Sequence, residues 1–281
     1  MELGILGPLF VRVGNVVIAP SAPKLRKVLA MLVTHSNQMV PVSSLMRELW
    51  NDDPPVSWLT TLQTYILNLR KLFASVTGLT SEEISRDVLV TRSGGYLLRI
   101  RDEELDVCRY RVLLAAGREA LSAGDDAGAV QYLDDALRLW RGPALVDVQA
   151  GAILESKRRQ YEESRLVVLE SLIDAQLRQG KYREILTELV VLTAQNPLHE
   201  GLLAQYMRAL YFNDRRAEAL EVFRQLREKL VTELGIEPGP AIQSLHQAIL
   251  NSDTGLEAQI RIERSPGHMT RTTDRGTVRA Y

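Results

Sequence analysis

Cysteine is almost missing from this chain. Cys108 stands alone, so neither an intrachain disulfide nor a cysteine-built zinc cluster can form. Long apolar runs are missing too: none approaches the ~18 residues a membrane-spanning helix needs, and the start MELGILGPLF lacks the basic opening of a secretory signal. A cytoplasmic protein with no membrane partner is expected. The four histidines (His35, His199, His246, His268) fall in none of the spacings a metal favours. The patterns G-x-S-x-G, G-x-G-x-x-G and G-x-x-x-x-G-K-[ST] do not occur. Acid pairs such as Asp134-Asp135 and Glu162-Glu163 suit solvated helix surfaces, and Cys108 opens an apolar helical pattern as a small buried hydrophobe. The expectation is therefore no enzyme, no metal and no cofactor.

What is present is an uneven distribution of charge. The overall balance is −1, yet residues 1–101 carry 11 Lys+Arg against 7 Asp+Glu, a net of +4, whereas residues 102–250 carry 18 against 24, a net of −6. A basic part and an acidic part imply different partners.

Residues 1–101 read as a small sheet, three helices and a hairpin. Glu2–Leu6, Leu9–Val13 and Val16–Ile18 form short antiparallel strands. Ser21 is expected to cap a first helix with Leu25, Val28, Leu29, Leu32 and Val33 as its buried stripe, ending near Ser36-Asn37. Ser43 is expected to cap a second helix through Trp50. Pro54-Pro55 then forces a rigid loop. The third helix, WLTTLQTYILNLRKLF, stacks Leu62, Ile66, Leu69 and Phe73 on one face, with Tyr65 and Leu72 at its edge. Opposite lie Thr60, Thr64, Leu67, Asn68 and Lys71, flanked by Gln63 and Arg70, with no acid from Thr60 to Leu69. Amides and hydroxyls pair with base edges and cations with phosphates, whereas a carboxylate would repel the backbone, so this face suits DNA. After a polar link over 77–87, Val88–Thr91 and Tyr96–Ile100 flank Arg92-Ser93-Gly94-Gly95 as a hairpin with Arg92 at its tip. This order is the layout of a winged helix-turn-helix, whose third helix enters the major groove.

From about Asp106 the pattern is helical. The windows ALSAGDDAGAVQYLDDAL, QLRQGKYREILTELVVL and ALYFNDRRAEALEVFRQL resemble one another, and Gly180 and Asn213 lie 33 residues apart, close to the ~34-residue tetratricopeptide period. Between the first two windows stand LWRGPALVDVQAG, read as an insertion, and a long helix from Ala152 to Gln179. A helix closing at Leu250 completes an α+β winged helix-turn-helix domain (1–101) followed by an all-α tetratricopeptide-like domain (102–250). Residues 251–281, of which 263–281 are rich in Thr, Arg and Gly with almost no aliphatics, are expected to form a flexible tail.

The segments LGPLFVRVGN, PKLRKVLAMLVTHSNQMVPVSSLMRELWNDDPP, LTTLQTYILNLRKLF and LVTRSGGYLLRI closely resemble the Streptomyces antibiotic regulatory protein family, whose DNA-binding domain is of the response-regulator winged-helix type. LRLWRGPAL and LREKLVTELGIEPGP resemble the bacterial transcriptional activation domain that follows it. The resemblance covers roughly residues 1–250 and implies a transcriptional activator of a secondary-metabolite (antibiotic) cluster, bound to direct repeats near the promoter −35 element beside the σ subunit of RNA polymerase. Double-stranded promoter DNA, σ and a second protomer on DNA are the implied partners. Matching the response-regulator pattern selects Thr64, Tyr65 and Asn68 as base-reading residues and Arg70 as a phosphate contact. Leu67 departs from the basic residue common there, and either touches a thymine methyl or lies against sugar. Arg92 is the wing candidate, and Lys24, Thr60, Thr61 and Lys71 are candidate phosphate ligands, Lys24 at a helix N-terminus that itself favours an anion. Asp52 and Asp53, in the loop beside the third helix, suit a basic region of σ. The alternatives are a repeat-protein adaptor and a ligand-controlled repressor.

Overall fold

The computed structural model describes residues 1–51 and 53–251, and nearly all of the expected tail falls outside them. Two compact units result, one made of residues 1–117 with 131–172, the other of 118–130 with 173 onward.

The first unit opens on an antiparallel sheet of β1 (Glu2–Gly4), β2 (Phe10–Val13) and β3 (Val16–Ile18) in that order. Helix α1 (Pro23–Thr34) follows, then β4 (Met39–Pro41), α2 (Val42–Trp50) and α3 (Trp58–Thr77). The sheet of β4, β5 (Leu89–Arg92) and β6 (Gly95–Leu98) has the order β4-β6-β5. This is the winged helix-turn-helix, and α3 buries the four residues that its periodicity selected, Leu62, Ile66, Leu69 and Phe73. Gly78, left-handed at φ +74°, ends it.

Several local expectations give way. Neither Ser21 nor Ser43 caps a helix: α1 starts after Ala22 with Pro23 in its first turn, and α2 starts after Pro41, both without a side-chain cap. Helix α1 stops at Thr34, and Asn37 takes a left-handed φ of +62° where its side chain bonds Ile100 through both its amide N and its O. Strand β4 is formed by three residues that carry no alternation of their own. It is admitted by Gly95, where a Cβ would lie 2.4 Å from the Val40 carbonyl oxygen. The polar link holds a helical turn, α4 (Ser81–Glu83), closed by a reciprocal Thr80–Glu83 capping box. The hairpin turn is Ser93-Gly94, with Arg92 still in β5 opposite Gly95.

Helices α5 (Asp106–Ser122), α6 (Asp126–Arg138) and α7 (Ala152–Arg178) contribute residues to both units. Within the first unit, the stretch read as an insertion is woven into the N-terminal sheet and helices. Arg141 N–H donates to Leu6 O at 2.9 Å and Leu145 N–H to Gly7 O at 2.8 Å. Asp147 accepts from Leu9 N–H at 2.8 Å and pairs with Arg26 at 3.2 Å. Arg158 donates to the carbonyls of Ala144, Leu145 and Val148, fixing the loop's shape.

Two buried acids close this assembly. Asp106 accepts from the N–H groups of Ile5 (2.9 Å) and Leu6 (3.0 Å) and from Arg141 Nη2 (2.9 Å). Glu48, on α2 and 2% exposed, accepts from the N–H groups of Gly151, Ile153 (2.9 Å) and Leu154 (3.3 Å). These are donors at the start of α7 that have no partner within the helix. A Cβ on Gly151 would lie 2.6 Å from Glu48 O, so the approach needs glycine.

In the second unit, α8 (Leu186–Gln195), α9 (Glu200–Tyr211) and α10 (Arg216–Lys229) pack in succession, and α11 (Pro240–Leu250) lies against α9 and α10. Met207, Leu210, Ala219, Phe223, Ile242 and Ile249 form their common core. Tyr182 stacks on Phe212 with ring centroids 4.5 Å apart.

Two outcomes follow. Glu48→Ala strands buried N–H donors and is expected to cost about 2–4 kcal/mol of unfolding free energy in denaturant melts of the full chain; an unchanged midpoint would contradict the clamp. For Asp106, burial raises the carboxyl above its ordinary value of 3.8 against the opposing Ile5, Leu6 and Arg141 bonds. A carboxyl raised in the folded state binds its proton more tightly there, so its contribution to stability falls as pH rises from about 4 through the folded value. Melts across that range should show the wild type losing stability relative to Asp106→Asn as pH rises, and a gain would reverse the assignment.

Candidate nucleic-acid interface

Helix α3 contains no Asp or Glu from Trp58 to Thr77, and its only cations are the adjacent Arg70 and Lys71. The 3.6-residue repeat that buries Leu62, Ile66, Leu69 and Phe73 turns Thr60, Thr64, Leu67, Asn68 and Lys71 outward, and all five are exposed. One helix thus gathers an amide, hydroxyls, an aliphatic group and an ammonium on one accessible face. Gln63 is exposed on its flank. Thr61 and Tyr65 are half-buried along the boundary with the core face.

Hydroxyl commitments limit what this face can donate. Thr64 Oγ1 donates to Thr60 O at 2.9 Å, and Thr61 Oγ1 to Ser57 O at 3.0 Å. Each remains an acceptor, which suits a base amino group and not a phosphate oxygen. Asn68 supplies both a donor and an acceptor.

Arg70 is half-buried. Its Nε and Nη2 donate to Leu89 O at 3.1 and 2.9 Å, and Nη2 also donates to Thr91 Oγ1 at 2.8 Å. The residue selected as a phosphate contact therefore ties α3 to the first strand of the wing. Burial lowers the guanidinium from its ordinary value and pushes the Tyr96 phenol up, and the charge interaction between the two opposes both shifts. A carbonyl and a hydroxyl give no charge partner, so the cation keeps a field at the junction of helix and wing.

Arg92 is exposed beside the Ser93-Gly94 turn, with Gly94 at φ +82°. Lys24 is exposed in the first turn of α1, its Nζ 5.0 Å from the Trp50 ring centroid. The indole face holds the ammonium by a cation–π contact. In the loop between α2 and α3, Asp53 is exposed and its N–H donates to Trp50 O at 3.1 Å. Asp52 lies outside the described residues. Sequence reading passed over Val56, fully exposed in this loop, and Leu59, 44% exposed at the start of α3. An aliphatic residue directly after Pro-Pro, outside the core stripe of Leu62, Ile66, Leu69 and Phe73, was the available signal.

Among the described residues no group of three or more His, Cys, Asp or Glu side chains is placed to hold a metal, and no helix is long and apolar enough to cross a membrane. Cys108 is half-buried, and burial pushes its thiol up, away from the reactive thiolate.

Residues 19–98 match the family model described as transcriptional regulatory protein, C terminal, and residues 105–250 match the bacterial transcriptional activator domain. The chain is 42% identical over 257 residues to the regulatory protein DnrI of Streptomyces peucetius, covering 92% of this chain and 94% of that protein. It is 36% identical to the regulatory protein AfsR of Streptomyces coelicolor across 91% of its own length, but spans only 25% of that longer relative. Among solved structures, Mycobacterium tuberculosis EmbR in complex with a low affinity phosphopeptide superposes with a TM-score of 0.85 at 32% identity, covering 94% of this chain and 68% of that one.

Removing the brace should loosen the wing. Arg70→Ala is expected to cost about 1–2 kcal/mol, the worth of charge-assisted bonds at a half-exposed site, and to speed amide exchange across Leu89–Leu98. Exchange unaltered there would show that the brace does not hold the wing.

Proposed function

Because the chain belongs to the Streptomyces antibiotic regulatory protein family of transcriptional activators, we propose that it binds double-stranded promoter DNA and recruits RNA polymerase through σ. In this reading residues 1–101 form the DNA-binding part, and the acidic stretch 102–250 holds a second protomer, contacts polymerase, or both. The target is a promoter of a secondary-metabolite cluster with direct repeats near its −35 element. The observation that carries the reading is the exposed, acid-free side of α3 beside a hairpin bearing Arg92.

Thr64, Tyr65 and Asn68 would read bases, Asn68 by the amide pairing that suits adenine and Thr64 through its free acceptor. Lys24, Thr60, Thr61 and Lys71 would meet phosphates, Thr60 with its own hydroxyl and Thr61 only by turning its hydroxyl proton away from Ser57 O. Arg70 would reach phosphate only with the edge not turned to Leu89 and Thr91, so its main part is positional. Arg92 would enter the neighbouring minor groove. Two copies on repeats one helical turn apart, ~34 Å, would lie on one face of the duplex. The loop with Asp52, Asp53 and Val56 combines acid and an exposed aliphatic, a surface that complements a basic, partly apolar region of σ.

Asn68→Ala is expected to weaken binding to a cognate duplex by ~1–3 kcal/mol and to relax preference at one position, while Lys71→Ala should lower the slope of log affinity against log salt by about 1 without changing sequence preference. Fluorescence anisotropy at several salt concentrations measures both. A salt-independent or absent interaction would favour the adaptor reading. In-vitro transcription with Asp53→Ala should fall while promoter binding holds, and unaltered transcription would remove the σ contact.

A further inference from the structure

The middle of the exposed α3 face is occupied by an aliphatic side chain. Leu67 is 48% exposed, and its helical neighbours at three and four residues are Gln63, Thr64, Arg70 and Lys71. Leu67 stands outside the core face of α3, which is filled by Leu62, Ile66, Leu69 and Phe73, and leaves about half of its apolar surface to solvent. The groups around it define what it would meet. Thr64 has committed its hydroxyl proton to Thr60 O, and Arg70 its Nε and Nη2 to β5. Among the side chains around Leu67, amide donors are offered by Asn68, immediately next to it, and by Gln63 on the flank. The major-groove edge of a base pair presents acceptors, amino groups and one apolar feature, the C5-methyl of thymine.

Resting on the DNA-binding reading above, we propose that Leu67 is a specificity-determining residue that packs on a thymine C5-methyl in the major groove, next to the base paired by Asn68. The acid-free face supplies the charge complementarity for seating this helix against DNA. The recognised element then holds an A·T pair opposite Leu67, and the preference is carried by a methyl group and not by a hydrogen bond.

The methyl can be removed without altering base pairing. Duplexes that bind the full chain are first selected from a random-sequence pool, and each thymine of the selected site is then replaced singly by uracil. Affinities are measured by anisotropy for the wild type and for Leu67→Ala, whose side chain is exposed. The expected result is one thymine in each repeat whose replacement weakens wild-type binding about fourfold, the worth of one buried methyl group, and the same replacement without effect on Leu67→Ala. Selection of a site with no thymine, indifference of the wild type to every uracil, or an equal loss in Leu67→Ala overturns the assignment while leaving DNA binding intact. Uracil indifference is also the signature of Leu67 lying against sugar. Failure to select any sequence overturns the DNA-binding reading itself. The uracil scan on the unaltered protein stands even if the variant folds poorly.

Discussion

Burying Glu48 at 2% exposure is tolerable only because the head of α7 presents N–H groups that have no helical acceptor of their own. The exchange satisfies both sides: an acid that water would otherwise solvate, and amides that would otherwise be orphaned. Asp106 repeats the logic at the N-terminal sheet with Ile5 and Leu6. Because α2 carries Glu48 and ends at Trp50, just before the loop into α3, the position of α3 is referred to a helix that begins about a hundred residues later in the chain. The first compact unit is therefore larger than a winged helix alone, and its extra segments serve as the frame on which the winged helix is held.

Within that frame, the exposed face of α3 is organised by what is withheld from it. Thr61, Thr64 and Arg70 each turn donors back to the protein, the threonines to the preceding turn of α3 and the arginine to β5. What is left outward is sparse: an amide, a leucine, a lysine and a few acceptors. Such a surface carries little charge: one exposed ammonium, Lys71, and no carboxylate. The family's activator role agrees with this division between a reading surface and an acidic helical stretch with other partners.

Much of this was legible in the sequence. The burial of α3 follows directly from the spacing of Leu62, Ile66, Leu69 and Phe73, and the hairpin from Gly94-Gly95 between alternating runs. Caps were misjudged because Ser21 and Ser43 satisfy a composition rule while Pro23 and Pro41 fix where the helices start. Strand β4 was invisible because three residues show no alternation, and what creates the strand is the lack of a side chain at Gly95, far along the chain. Arg70 looked like a free cation because its acceptors are a backbone carbonyl and a threonine hydroxyl of a different element. The stretch LWRGPALVDVQAG broke the repeat period and so read as an interruption, although its irregular backbone is what meets the N-terminal strands.

The partners of Glu48 on the far side are main-chain amides, whereas Asp106 adds the Arg141 side chain to its two amides. Residues 153 and 154 could become almost anything but proline and still donate to Glu48; at 151 alone, steric room keeps glycine. Compensating pairs of substitutions, the usual trace by which distant contacts are inferred from families of sequences, would therefore not arise at Glu48, and the joint between α2 and α7 would leave no correlated record of itself.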